Sequence, residues 1–186
     1  MMNLEEIRPL LSGELTTKPN PDGTKLASVL VVIYGDEPKV IMTKKSEILT
    51  IHAGEISFPG GKWEKQDGDL LTTALRETKE EINLEITPKQ IIGQLQPVRT
   101  LNSGFTITPF VAVVDNVPKL KDNFEVESIL RIPLEPFLKT LEDDQNPKHR
   151  SIQEMYIFKF NEHVVWGASA RILKQITDIF KKNNLI

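Results

Sequence analysis

The apolar positions along the chain follow two periods, and these divide it into elements. Leu26 to Tyr34 (LASVLVVIY) is a β-branched apolar run that ends at the turn Gly35-Asp36-Glu37-Pro38. Val40 to Thr43 resumes it, which reads as a buried strand and its hairpin partner. Lys44 to Ala53 reads as irregular, Phe58-Pro59-Gly60-Gly61 as a tight turn, and Asp69 to Asn83 as a helix. Strand-like stretches follow at Ile91–Val98, Phe105–Val114 and Val126–Ile132. Leu134–Leu141 reads as a helical turn or two, Asp143–Arg150 as a charged loop and Met155–Phe160 as a strand. Amphipathic helices are predicted at the two ends. One covers about residues 3–12, closes near Gly13 and precedes the polar stretch TTKPNPDGTK; the other covers about 168–182, with Ile172, Leu173, Ile176, Ile179 and Phe180 on one face. Strands with one central helix and helices at both ends predict an α+β sandwich around a mixed sheet, not a regular βαβ succession. A length of 186 residues fits one domain with a sizeable core.

Composition removes several function classes. The formal net charge is −3, so bulk electrostatics does not favour nucleic acid, and an anionic substrate would need local cations or a bound metal. No basic patch with interleaved aromatics is present, which argues further against a nucleic-acid partner. The chain has no cysteine, which excludes a disulfide framework, a thiolate nucleophile and a zinc–sulfur site. No apolar stretch approaches a membrane span, and the acidic amino terminus is the wrong build for a secretory signal. A cytoplasmic protein without a membrane partner is expected; a homodimer is left open.

The informative segment is Gly60 to Leu84, GGKWEKQDGDLLTTALRETKEEINL. Leu71, Ala74, Leu75, Thr78 and Ile82 share one side of the helix and should pack inward. Glu77, Glu80 and Glu81, spaced i, i+3, i+4, project from the largely opposite side. Like charges at that spacing cost about 0.2–0.5 kcal/mol per pair on an isolated helix. Arg76, four residues before Glu80, can relieve one of them, while Lys79 points elsewhere. A hard divalent cation would turn the repulsion into binding, because Mg²⁺ takes oxygen ligands and shares its shell with phosphates. A carboxylate left free of metal could orient or deprotonate a water. A solvated acidic face is the plain alternative. The preceding glycines favour the metal, since Gly60 and Gly61 let backbone approach a ligand with no Cβ in the way.

This segment resembles the Nudix box. The matching positions are Gly61, Asp67, Arg76-Glu77-Thr78-Lys79-Glu80-Glu81, Asn83 and Leu84. Asp67 stands where the box has Glu, and Asn83 where it has Gly, although Asn tolerates the left-handed conformation a helix end wants. Eight residues separate Asp67 from Arg76, a longer spacing that is similar to the coenzyme A pyrophosphatase branch. Ile41 to Ser46, Gly54 and Phe58-Pro59-Gly60-Gly61 resemble that branch's upstream signature. Ser103 to Phe110 resembles its strand after the box, and Glu125-Val126, Ile132-Pro133-Leu134 and Trp166 to Ala170 its last third. The signature has arginines where this chain has Lys45 and Thr50. Lys45 keeps the charge without the planar fork, and Thr50 removes one anchor for a 3′-phosphate.

The resemblance implies a Nudix-type α/β/α sandwich and metal-dependent hydrolysis of a P–O–P bond in a small nucleotide diphosphate. It implies Mg²⁺, with Mn²⁺ as a substitute, and coenzyme A or a derivative ahead of ADP-ribose, a dinucleotide or a nucleoside triphosphate. A catalytically idle nucleotide-binding domain is the alternative from another class. By the same resemblance, Glu77 and Glu81 are first candidates for metal ligands, Glu80 is a third or water-bridged one, and the Gly60 or Gly61 carbonyl completes the set. Arg76 would orient the glutamates. The base is one of the box glutamates or Glu125, and Asp67 a box acid or merely a residue at the helix start, with Asp69 as N-cap. Lys44, Lys45 and Phe58 are candidates for substrate contact. His52, His149 and His163 read as ordinary polar residues, and Trp166 as a base-stacking ring or an apolar anchor.

Overall fold

The computed structural model describes residues 2–20, 23–49, 52–100, 103–149 and 155–186. Helix α1 (Leu4–Leu11) starts at a capping box formed by Asn3 and Glu6, and buries Ile7 and Leu11. Strand β1 (Lys25–Tyr34) turns through residues 35–38 into β2 (Lys39–Lys45), longer at its end than the sequence predicts. Two short strands follow, β3 (Ile56–Ser57) and β4 (Gly60–Lys62). The Gly60-Gly61 turn predicted from sequence is therefore a strand, held by antiparallel pairing of Gly60, Gly61 and Lys62 with Val29, Ser28 and Ala27. Helix α2 (Leu70–Ile82) agrees with its prediction, as do Asp69 at the N-cap and Asn83 in the left-handed C-cap.

The predicted strand over 91–98 is two, β5 (Ile91–Gln94) and β6 (Val98–Arg99). Pro97, which has no N–H to give a ladder, sits in the break. Strands β7 (Phe105–Val114) and β8 (Val126–Pro133) lead to the short helix α3 (Leu134–Leu138). Strand β9 (Glu142–Asp143) takes the first residue of the predicted charged loop, which also contains a 3-10 turn over Pro147–His149; its last residue, Arg150, lies outside the described residues. Strands β10 (Tyr156–Phe160) and β11 (His163–Val165) form a small sheet with β9, and α4 (Gly167–Lys182) ends the fold.

Strand β1 organises the main sheet. It runs parallel to β7 along all ten residues, from Lys25 beside Phe105 to Tyr34 beside Val114. Every other strand pairing in this sheet is antiparallel, which makes it mixed. Residues 33–34 pair with β2, residues 27–29 pair with β4, and β2 continues alongside β8. The edge of β1 is thus shared between two partners, and β2 departs where β4 enters.

Side chains of β1 alternate between two apolar layers. Val31 and Ile33 join Ile7 and Leu11 of α1 and Ile172, Leu173, Ile176 and Phe180 of α4. Leu30, Val32 and Tyr34 join Leu70, Leu71, Ala74 and Ile82 of α2. The result is an α/β/α sandwich with a mixed central sheet. Among the described residues no helix is long and apolar enough to cross a membrane.

The end of α2 gives a stability test. Asn83 holds φ 53° and ψ 38°, where a Cβ without a helpful polar side chain costs roughly 1–2 kcal/mol. Urea unfolding should show Asn83→Ala losing about 1 kcal/mol and Asn83→Gly losing nothing. Equal losses for both would mean that the left-handed cap does not limit this helix.

Candidate active site

The box glutamates are oriented from outside the helix. Asp67 lies just before α2 with its carboxylate buried. It accepts Arg76 Nε at 2.7 Å and Nη2 at 3.0 Å, Thr73 Oγ1 at 2.8 Å and the Glu64 N–H at 3.1 Å. This two-pronged grip fixes the guanidinium plane, so Nη1 points at Glu77 Oε1 (2.8 Å) and Glu80 Oε2 (3.2 Å). The Arg76 hydrogen bond is the main reason that the Asp67 carboxyl falls to about 2 from 3.8. Arg76 is raised above its ordinary value, chiefly by Asp67 and then by Glu77.

Glu77 and Glu81 reach the same short strand. A Cβ on Gly61 would collide with the Glu77 carboxylate, so only glycine leaves room for it. Gly60 N–H donates to Glu81 Oε2 at 3.4 Å. Glu81 is 2% exposed and Lys45 Nζ is its ion-pair partner, whereas Glu80 is largely exposed. Burial raises the Glu77 carboxyl above its usual range, with Glu80 and Glu125 adding to the rise and Arg76 opposing it. Burial also raises Glu81, with Lys45 opposing and Glu77 adding.

The ladder decides which glycine carbonyl faces them. Leu30 N–H bonds to the Pro59 carbonyl and Trp63 N–H to the Leu26 carbonyl. Hydrogen-bonded pairs alternate in an antiparallel ladder, so Ser28 and Gly61 form the pair between them. Gly61, expected from sequence as a metal ligand, has its backbone turned toward β1. The Gly60 carbonyl is turned away from β1, on the edge where its N–H meets Glu81. Among the described residues no three acidic or histidine side chains converge to hold an ion by themselves. Mg²⁺ needs no such cage. It usually takes one or two carboxylates and fills its shell with water and phosphate oxygens. Glu77, Glu81 and the Gly60 carbonyl fit that requirement.

These groups border a cleft of about 1650 Å³, above the roughly 300–1,000 Å³ usual for small-ligand sites. Glu77, Glu80, Glu81, Arg76, Glu125, Lys45, Gly60 and Gly61 all line it. Lys44 does not. Its ammonium pairs with Glu127 at 2.8 Å, because successive strand side chains point to opposite faces. Phe58 is 1% exposed and part of the apolar core, so its ring is packing under the cleft instead of a free stacking surface. Thr50 lies outside the described residues.

A model of the NUDIX domain matches residues 24–155. The chain belongs to the Nudix family of hydrolases. A relative from Yersinia enterocolitica, named as an uncharacterized Nudix hydrolase NudL, is 34% identical over 154 residues, 81% of this chain and 78% of that one. Among solved structures, a MutT/nudix family protein from Enterococcus faecalis superposes with a TM-score of 0.60 at 15% identity, over 91% of this chain and 64% of that one. A bifunctional NMN adenylyltransferase/ADP ribose pyrophosphatase from Francisella tularensis, solved with AMP and a Mn ion, superposes at 0.50 with 20% identity, over 66% of this chain and 36% of that one.

The Nudix box accounts for one wall of the cleft. The cleft lining also includes residues that the sequence reads as ordinary polar or packing groups, and Asp144, for which it gives no role. His149 stacks on Trp166, with centroids 3.8 Å apart and planes 4° from parallel, and its Nδ1 lies 2.8 Å from the buried Asp144 carboxylate. Trp166 therefore already stacks on a protein ring. No spacing in the sequence joins residues 144, 149 and 166, although the stretch Trp166 to Ala170 pointed to the region. His52 also lines the cleft, with Nδ1 2.8 Å from Glu55.

The grip of Asp67 on Arg76 gives a pH-dependent prediction. A folded pKa of about 2 against 3.8 gives stabilisation that is present in full above pH 3.8 and lost as pH falls toward 2. Its size is about 2 kcal/mol. Asp67→Asn should lower the unfolding free energy at pH 7 by about that amount and flatten the acid limb of the stability curve. An unchanged acid limb, followed by denaturant unfolding between pH 2 and 7, would refute it.

Proposed function

We propose that this Nudix hydrolase cleaves the diphosphate linkage of a nucleotide-containing metabolite with the help of Mg²⁺ or Mn²⁺, and that coenzyme A or a derivative is its preferred substrate. One observation carries the metal reading: the half-buried Glu77 and the buried Glu81 meet the same glycine strand, where burial disfavours both charged forms and Glu77 adds to the rise at Glu81. Glu77, Glu81 and the Gly60 carbonyl would hold the cation, and Glu80 would reach it through water. When bound, the cation neutralises diphosphate oxygens and lowers the pKa of a coordinated water.

The chain's own residues do the rest. Arg76 holds Glu77 and Glu80 in place and is itself held by Asp67. Lys45 balances the charge of Glu81, and its ammonium is near enough to serve a diphosphate oxygen once a cation takes over that balance. Glu125 would accept a proton from the attacking water; its position in the cleft wall and its electrostatic effect on Glu77 support that role. A domain that binds nucleotides without cleaving them has little reason to bury opposed carboxylates.

Support for coenzyme A comes from the eight-residue spacing between Asp67 and Arg76 and the upstream signature Ile41 to Gly61. The ADP ribose pyrophosphatase named among the structural neighbours makes ADP-ribose the competitor to test. Turnover of both compounds, measured side by side, decides between them.

Glu77→Gln and Glu81→Gln should each keep native circular dichroism and lower Mg²⁺-dependent turnover by at least about 100-fold. The rise in melting temperature produced by Mg²⁺ in the parent should vanish in both. Near-parental turnover in either variant would remove that carboxylate from the site.

A further inference from the structure

Among the described residues, five lysines and arginines line the cleft, and three are committed to protein groups. Arg76 is held by Asp67, Glu77 and Glu80, Lys45 is paired with Glu81, and Arg171 donates to the Arg99 carbonyl at 2.8 Å. Lys25 and Lys62 remain, and neither has an acidic partner among the described residues. Both sit beside one ring. Their ammonium groups are 5.6 and 5.7 Å from the centroid of Phe105.

The sheet register puts them there. Lys25 is the parallel neighbour of Phe105, and Lys62 is opposite Ala27, two residues further along β1. Side chains two apart on a strand share a face, so all three project from the sheet face that floors the cleft. Lys62 is also two residues beyond Gly60 on β4, about 7 Å along the strand. Two positive charges beside one ring, without acidic partners among the described residues, are the reverse of the carboxylates that α2 brings to the same short strand from the other sheet face. The carboxylates suit a cation; the lysines suit an anion.

We propose that Lys25 and Lys62, flanking Phe105, form a binding subsite for a second phosphate group, carried on the sugar of the nucleotide whose diphosphate lies at Glu77 and Glu81. The substrate class is then a nucleotide with an additional sugar phosphate. This rests on the reading of the cleft as a diphosphate hydrolase site, and it supplies the anchor that Thr50 removes. Phe105 offers its flat ring to the nucleoside, and the lysines close on the phosphate from β1 and β4. The charges are exposed, so the preference weakens as salt is added.

Binding scored without turnover keeps the two readings separate. Titration calorimetry at low ionic strength compares adenosine 3′,5′-bisphosphate, adenosine 2′,5′-bisphosphate and AMP on the parent and on the double variant K25A/K62A. The parent should bind a bisphosphate about tenfold more tightly than AMP, and the double variant should bind all three alike. The arm with the tighter bisphosphate tells whether the 2′ or the 3′ phosphate is recognised. Equal binding of bisphosphates and AMP by the parent, or a preference that survives in the double variant, overturns the subsite. Absence of hydrolysis of any diphosphate-linked nucleotide would overturn the catalytic reading and leave these affinities to judge the subsite.

Discussion

The structure turns on two carboxylates, one buried and one half-buried, beside a strand that opens with two glycines. Burial opposes their ionisation, neighbouring glutamates oppose it further, and Lys45 and Arg76 supply only part of the compensating charge. A residue with a Cβ at position 61 would push Glu77 away, and the cluster would relax into solvent. Glycine at that point therefore joins the electrostatics of the helix to the geometry of the sheet. The mismatch is what a divalent cation and a diphosphate can resolve together.

The remainder of the fold holds that mismatch in place. The parallel pairing of β1 with β7 makes a buried spine, and the division of β1 between β2 and β4 brings the glycine strand to the edge beneath α2. Helix α2 is fixed on that edge by its apolar side, by Asp69 and Asn83 at its ends, and by Asp67 reaching back to Arg76. The second layer, α1 with α4, leaves the opposite sheet face open at the Lys25 end, where the cleft continues. The carboxylate cluster and the unpaired Lys25 and Lys62 thus occupy different parts of a single groove, which would suit an extended anionic ligand.

Much of this was legible in the sequence, and the exceptions have physical reasons. The period of α2 and its two caps are local signals, and the structure bears them out. The glycine strand was missed because three residues show no period and Gly-Gly reads as a turn; its pairing with β1 is a long-range fact. Glu81 was expected with the other acids on the helix's outer side, yet it is the most buried of the three, beside Lys45 of β2 and Gly60 of β4. Lys44 and Lys45 are both candidates for substrate contact in the sequence, but strand alternation sends one to Glu127 and the other to the site. Asp67 read equally as a helix-start residue, since nothing short of its two bonds to Arg76 separates the roles. The His149–Trp166 stack joins distant segments, which no spacing rule anticipates.

The most direct measurement of the central claim is anomalous scattering from crystals soaked in Mn²⁺. One strong peak should lie within about 2.0–2.3 Å of oxygens from Glu77, Glu81 and the Gly60 carbonyl, with Lys45 displaced from Glu81. Crystals that hold manganese elsewhere, with Glu81 still paired to Lys45 and no peak beside the glycine strand, would contradict the account.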